Sequence, residues 1–145
     1  MHVVVGGAFN GKRKWVKKFY ALDDTASYQW FCGYDEQIHI ADLFHTKQFE
    51  KIAIIEGIEQ YIFQIMNQFA EWRNYWDMMV EAWRGWEKEG KGTIVVIGND
   101  ITKGIVPVDQ QERLWRDACG FCFQDLVKKA DRFDIIWYGL NERLK

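Results

Sequence analysis

The stretch Met1-His2-Val3-Val4-Val5-Gly6-Gly7-Ala8-Phe9-Asn10-Gly11-Lys12-Arg13 decides the fold. A short β-branched run leads into a glycine-rich turn, and the turn leads into a lysine-rich amphipathic segment. This order predicts strand, tight loop and helix. From Gly6 to Lys12 the spacing fits G-x-x-x-x-G-K, the phosphate-binding loop pattern, up to its last position. Glycines let backbone N–H groups converge on phosphate oxygens. The helix N-terminus adds partial positive charge, and the lysine reaches the terminal phosphates. Gly6, Gly7, Ala8, Phe9, Asn10, Gly11, Lys12 and Arg13 are therefore the expected nucleotide-binding loop. The pattern's last residue is normally Ser or Thr, whose hydroxyl holds Mg²⁺, and here it is Arg13. A plain glycine turn between any strand and any helix is the alternative, and the strand-before, helix-after placement favours phosphate.

Working outward, residues 12–22 read as the helix, with Trp15, Val16 and Phe19 on its apolar face. Lys17 and Lys18 suit a solvated face. Lys12, Arg13 and Lys14 do not, because cations at a helix N-terminus oppose the macrodipole. An anion bound there would offset that cost. Residues 29–33 read as a second strand, residues 35–48 as a helix, and residues 51–56 as a third strand ending in Glu56. His39 and His45 lie six positions apart, off a common helical face, and do not form a metal pair.

Residues 58–86 hold the most regular pattern. Ile58, Ile62, Ile65, Phe69, Trp72, Trp76, Met79, Trp83 and Trp86 alternate steps of four and three. That predicts one helix, or two nearly in line, roughly 45 Å long. Its stripe would be buried by packing on the sheet or, as the longer reach suggests, largely by self-association. Residues 93–98 read as a buried strand followed by Asn99-Asp100. Residues 109–129 read as a helix with Asp109 as N-cap, and residues 134–138 as the last strand. Strands alternating with helices imply an α/β fold, a mostly parallel sheet with helices on both faces and ligands at the carboxyl ends of the strands. The loop after the first strand and Asn99-Asp100 should then face one crevice. That makes Asp100 the candidate metal-side carboxylate.

The totals fit one domain over 1–145. A net charge of −2 does not call for nucleic acid or an anionic membrane, and no stretch approaches the ~20 apolar residues of a membrane span. The start lacks the pattern of a secretory signal. Three cysteines, Cys32, Cys119 and Cys122, form no disulfide framework, which favours a reducing, cytoplasmic setting. Cys119 and Cys122 are C-x-x-C in form, but they lack a second pair for zinc and read as buried thiols.

From residue 99 onward the chain becomes recognisable: Asn99-Asp100, Gly104-Ile105-Val106-Pro107, Arg113, Arg116-Asp117, Gly120, Gln124 and Ala130-Asp131. This resembles the adenosylcobinamide kinase/adenosylcobinamide-phosphate guanylyltransferase family of cobalamin assembly, with N-E-V-G-x-G-I-V-P, then R-x-F-R-D-x-x-G, N-Q and A-D in this order. The family's amino-terminal G-G-A-x-S-G-K-S is similar to residues 6–13. The resemblance implies a P-loop NTPase-like α/β fold, GTP or ATP with Mg²⁺, adenosylcobinamide as substrate, and a homo-oligomer. It also implies two reactions: phosphorylation of the cobinamide hydroxyl, and GMP transfer from GTP through a histidine-bound intermediate. By that pattern His45 matches the nucleophile, with His39 as the fallback. Glu56 and the positions Cys32, Gly33 and Tyr34 match nucleotide contacts. The sequence departs from the pattern at Arg13, at Asp100 in place of glutamate, at Thr46 in place of the arginine after the histidine, and at Phe123 in place of the asparagine before Gln124. The D-C-L-T strand has no evident counterpart. Two functions follow from different classes. One is a kinase or guanylyltransferase using His45, Lys12 and Asp100. The other is a degenerate, nucleotide-binding or oligomerising protein without turnover.

Overall fold

A computed structural model of the chain describes residues 1–23, 27–35 and 39–145. Its strands and helices are β1 His2–Gly6, α1 Lys12–Phe19, β2 Tyr28–Cys32, β3 Ile52–Glu56, α2 Ile58–Gln68, α3 Trp72–Lys88, β4 Thr93–Asn99, α4 Gln110–Lys129, β5 Arg132–Trp137 and β6 Leu140–Arg143. One six-stranded sheet has the order β2-β3-β4-β1-β5-β6, parallel except for β6, which runs antiparallel to β5. The α/β expectation is met, with β1 at the centre.

Strand alternation sorts the core into two layers. Val3 and Val5 of β1, Ala53 and Ile55 of β3, and Ile94 and Val96 of β4 face α2, α3 and α4. Val4, Ile54, Val95, Ile97 and Ile136 face the other way, towards Val16 of α1 and Leu22. Both faces of the central strands are covered, so β1 and β4 are near-continuous apolar runs rather than alternating ones.

The long tryptophan seam forms a pair of helices, one of the two arrangements expected, and is corrected in what covers its stripe. It breaks at residues 69–71, where Phe69 takes an extended backbone and stacks on Tyr75 with ring centroids 3.8 Å apart. It is also spent within the chain rather than at an association surface: Trp76, Met79 and Trp83 have no exposed area. Trp76 and Trp83 meet edge to face at 6.4 Å, and the Trp83 Nε1–H donates to the Leu43 carbonyl at 2.8 Å. The physical reason is length. Five-residue strands span about 17 Å, so a straight 45 Å helix would leave most of its stripe over solvent, whereas two packed helices lay it on the sheet.

The helix expected over residues 35–48 is also absent where the chain is described. Of that span, residues 36–38 lie outside the described residues, and the rest forms two 3₁₀ turns, Ile40–Leu43 and Thr46–Gln48. The Leu43 carbonyl goes to Trp83 instead of to a helical N–H, and buried Ile40 and Leu43 anchor the segment to the core. Strand β6 was not anticipated. The hairpin before it has two residues, Tyr138 at φ 49° and Gly139 at φ 82°, a pair of left-handed positions usually signalled by Asn-Gly rather than Tyr-Gly. Cys119 and Cys122 are buried free thiols on α4, as expected, and burial pushes both thiol pKa values up.

Trp76→Glu combined with Trp83→Glu should therefore unfold the domain rather than dissociate an assembly. Each change removes a fully buried ring worth about 3–5 kcal/mol and buries a charge in its place. Circular dichroism alongside sedimentation distinguishes the outcomes, and a folded double variant of unchanged mass would contradict this packing.

A second expectation concerns acid. His2 is buried, with Nε2 2.8 Å from Asp134 and Nδ1 2.8 Å from the Tyr20 hydroxyl. Asp134 is already paired with Arg132 and Asn141. Burial lowers the His2 pKa from 6.5 to about 4, with the hydrogen bond to Asp134 acting in the opposite sense. The folded protein thus holds a neutral ring, with Nε2–H donating to Asp134 and Nδ1 accepting from Tyr20. Between those two values the unfolded chain binds a proton that the folded one refuses. This contribution to stability is full above pH 6.5 and falls as pH drops towards 4, by on the order of 3 kcal/mol. Urea midpoints against pH should show the fall in wild type and a much flatter profile in His2→Gln.

Candidate functional site

The loop between β1 and α1 stands at the carboxyl end of the central strand, where α/β sheets place ligands. Its glycines have separate tasks. A Cβ on Gly6 would come within 2.3 Å of the Ile136 carbonyl oxygen on β5, and Gly11 sits at φ 85°, left-handed, just before the helix starts. Phe9 projects from the loop fully exposed, also at positive φ. The Asn10 carbonyl accepts a hydrogen bond from the Gly139 N–H at 2.8 Å, tying the loop to the β5–β6 hairpin.

Lys12 is buried, and its ammonium donates to the carbonyl oxygens of Gly6 at 3.1 Å and Gly7 at 2.7 Å and to Asn99 Oδ1. Asn99 closes β4 and passes the interaction on. Its Nδ2 donates to Glu59 Oε1 at 3.0 Å and to the Tyr34 hydroxyl, and its backbone N–H donates to Glu59 Oε2 at 3.0 Å. The Tyr34 hydroxyl donates in turn to Glu59. Burial lowers the Lys12 pKa, opposed by the charges of Glu59 and Glu56. Burial first, and then the bond to Glu59, raises that of Tyr34. A buried cation and a buried carboxylate thus share one amide.

Above them opens a cavity of about 800 Å³ lined by Ala8, Phe9, Gly11, Lys12, Arg13, Lys14, Lys17, Tyr34, Glu56, Gly57, Ile97, Gly98 and Asn99. Of the sequence-predicted residues, Ala8, Phe9, Gly11, Lys12, Arg13, Tyr34 and Glu56 are brought together here, while Gly6, Gly7 and Asn10 shape the loop without lining the cavity. Gly33 holds the neighbouring turn, its N–H donating to the Glu56 carbonyl at 2.7 Å. Cys32 enters through its sulfur, which accepts from Arg13 at 3.4 Å. Glu59 was not singled out from the sequence. Its only signal is a carboxylate in the first turn of an otherwise apolar seam.

His45 is not among the lining residues. It is exposed just ahead of the second 3₁₀ turn, between Leu43, which is bonded to Trp83, and Phe49, which packs on Trp86. His39 precedes the first 3₁₀ turn, its N–H donating to the Asp42 carboxylate. Asp100 follows β4 but does not line the cavity, and its carboxylate caps Thr102 through N–H and hydroxyl and lies 3.4 Å from Lys103.

In a phosphate-binding loop, Mg²⁺ is held by the hydroxyl after the lysine and a strand-end carboxylate. Here the hydroxyl is replaced by the Arg13 guanidinium, whose Nε and Nη2 both donate to Glu56 Oε2. Trp30 Nε1 donates to the same oxygen at 2.9 Å. Among the described residues no cluster of three or more His, Cys, Asp or Glu is placed to hold a metal ion. The donors present do not fit a divalent cation.

The residues recognised beyond β4 have structural work. Arg116 donates to the carbonyls of Thr102, Gly104 and Ile105, and Arg113 donates to those of Pro107 and Val108. Together they hold the loop that carries Gly104-Ile105-Val106-Pro107 against α4. A family model described as cobinamide kinase / cobinamide phosphate guanyltransferase matches residues 28–144. The chain belongs to this family. Cobinamide kinase / guanyltransferase membership places it in cobalamin biosynthesis, and the nucleotide and corrinoid substrates of the family are small molecules. The matched span begins at Tyr28, so the loop of residues 6–12 rests on its own geometry. No curated protein matches the chain. No helix among the described residues is long and apolar enough to cross a membrane.

Lys12→Ala should weaken GTP or ATP binding at least tenfold, about 1.4 kcal/mol, since a charge-assisted phosphate contact is lost. Asp100→Asn should leave affinity within about twofold. Calorimetry on both variants checks the pair, and a larger loss in Asp100→Asn would reverse the assignment.

Proposed function

We propose that this family member binds the phosphates of GTP or ATP on residues 6–13 and presents them to adenosylcobinamide or its phosphate. The observation carrying the reading is the buried Lys12, turned on the Gly6 and Gly7 carbonyls and Asn99 at the floor of a cation-walled cavity. These acceptors are neutral. A phosphate oxygen is a better partner for an ammonium than a carbonyl, so an arriving nucleotide draws Lys12 upward while Asn99 stays fixed by Glu59. The α1 N-terminus then faces the same anion, and Lys12, Arg13 and Lys14 in its first turn cease to oppose the helix dipole unaided. The exposed Ile105, Val106 and Val108 offer apolar surface to a corrinoid.

The family pattern assigns guanylyl transfer to His45, and we carry that role over as part of the proposal, with the protein working in the cytoplasm. Homo-oligomerisation belongs to it too, on a surface other than the tryptophans of α3. A second reading, nucleotide binding without turnover, is favoured by Arg13 standing on Glu56 where a metal hydroxyl would be.

Incubation with GTP labelled at the α-phosphate separates the readings. If guanylyl transfer operates, an acid-labile label forms on wild type and is absent from His45→Ala, because an imidazole nitrogen is the nucleophile that would carry the guanylyl group. Label lost instead in His39→Ala moves the role there. Binding with no label in any variant removes the guanylyl step and leaves phosphate binding.

A further inference from the structure

We propose that Arg13 is the built-in counter-cation of this phosphate site, so that nucleotide binds there without a divalent metal. The inference rests on the nucleotide reading above. Three observations carry it.

The first is position. Arg13 immediately follows the loop lysine, on the first turn of α1, where the metal-binding hydroxyl belongs. Its guanidinium reaches across to Glu56 at the end of β3, a strand-end carboxylate on the wall of the same cavity. A +1 group therefore stands where the hydroxyl ligand of a +2 ion belongs, held by a carboxylate of the cavity wall.

The second is the donor set. Glu56 Oε2 receives N–H groups from Arg13 Nε, Arg13 Nη2 and Trp30 Nε1. A metal would have to displace charge-assisted bonds there and gain no hydroxyl in return. The bond to Glu56 also raises the Arg13 pKa further, so the guanidinium stays charged at every working pH.

The third is the charge of the wall. Lys12, Arg13, Lys14 and Lys17 line the cavity against the single carboxylate Glu56. That balance repels a divalent cation and attracts a metal-free polyphosphate. The guanidinium is held in place by Cys32 and by Trp30, whose ring centroid is 5.4 Å from Cζ. Glu56 and Cys32 engage three of its N–H groups, and a guanidinium carries five, enough to reach a phosphate oxygen while still paired.

The test is calorimetry of GTP and of ATP with the full chain, once in excess Mg²⁺ and once in EDTA. Wild type should show dissociation constants equal within about threefold in the two conditions. Arg13→Ser, an exposed substitution on α1 that should melt as wild type does, should bind at least about tenfold more weakly in EDTA. Glu56→Gln supplies a second arm: with the guanidinium released, affinity in EDTA should hold or rise, whereas a metal ligand lost at that position would lower affinity in Mg²⁺. Wild-type binding that falls tenfold or more in EDTA overturns the inference, as does an Arg13→Ser variant unchanged in EDTA. Wild type that binds neither nucleotide in either condition rejects the nucleotide reading itself, a different failure.

Discussion

A buried ammonium whose direct hydrogen-bond acceptors are neutral oxygens is an unusual thing to keep in a domain of this size. Lys12 is such a group. Desolvating it costs stability, and three acceptors from two segments recover part of that cost. The geometry of the loop, the end of β4 and the first turn of α2 all follow from serving it. The Gly6 and Gly7 carbonyls must point inward, and at Gly6 the close approach to the Ile136 carbonyl on β5 requires glycine. Asn99 must present oxygen to the lysine and nitrogen to Glu59. Glu59 must lie in the first turn of α2, where its carboxylate meets two N–H groups of Asn99 and its charge balances the cation from below.

What the sequence made legible follows from this arrangement. A strand, glycine loop and basic helix have a fixed spacing, so the pattern from Val3 to Lys12 specifies its own structure. Buried strands announce themselves by β-branched runs, which is why β3 and β4 were found within a residue or two of their ends. Asp109 capped its helix as expected, accepting from the Glu112 N–H. The seam of residues 58–86 misled because a heptad pattern records only that one side of a helix is apolar. What covers that side depends on the breadth of the sheet and on where the chain breaks, and Phe69 breaks it without a proline or glycine to mark the place. The 3₁₀ turns around His39 and His45 were hidden for a related reason. The Trp83 indole claims a carbonyl that local pattern assigns to a helix.

The candidate site was half legible. Residues of the loop, Tyr34 and Glu56 converge, since each sits at a strand end or just past one, where topology alone brings them together. Glu59 did not show itself because a carboxylate on a helix is ordinarily solvated, and its burial depends on Asn99 arriving from forty positions away. His45 came from likeness to the family rather than from any physical signal in its own segment. The structure leaves it on the surface beside α3.

The bond from the Gly139 N–H to the Asn10 carbonyl adds a mechanical element to this picture. It fastens the middle of the phosphate loop to the tip of a hairpin formed by the last two strands, so the loop is strung between two posts rather than hanging from β1 and α1 alone. Residues 137–140 must therefore be in place before the turn around Asn10 acquires a fixed shape. Anion affinity becomes a late property of folding, reporting on the edge strand as much as on the lysine, although the two are separated by most of the sequence.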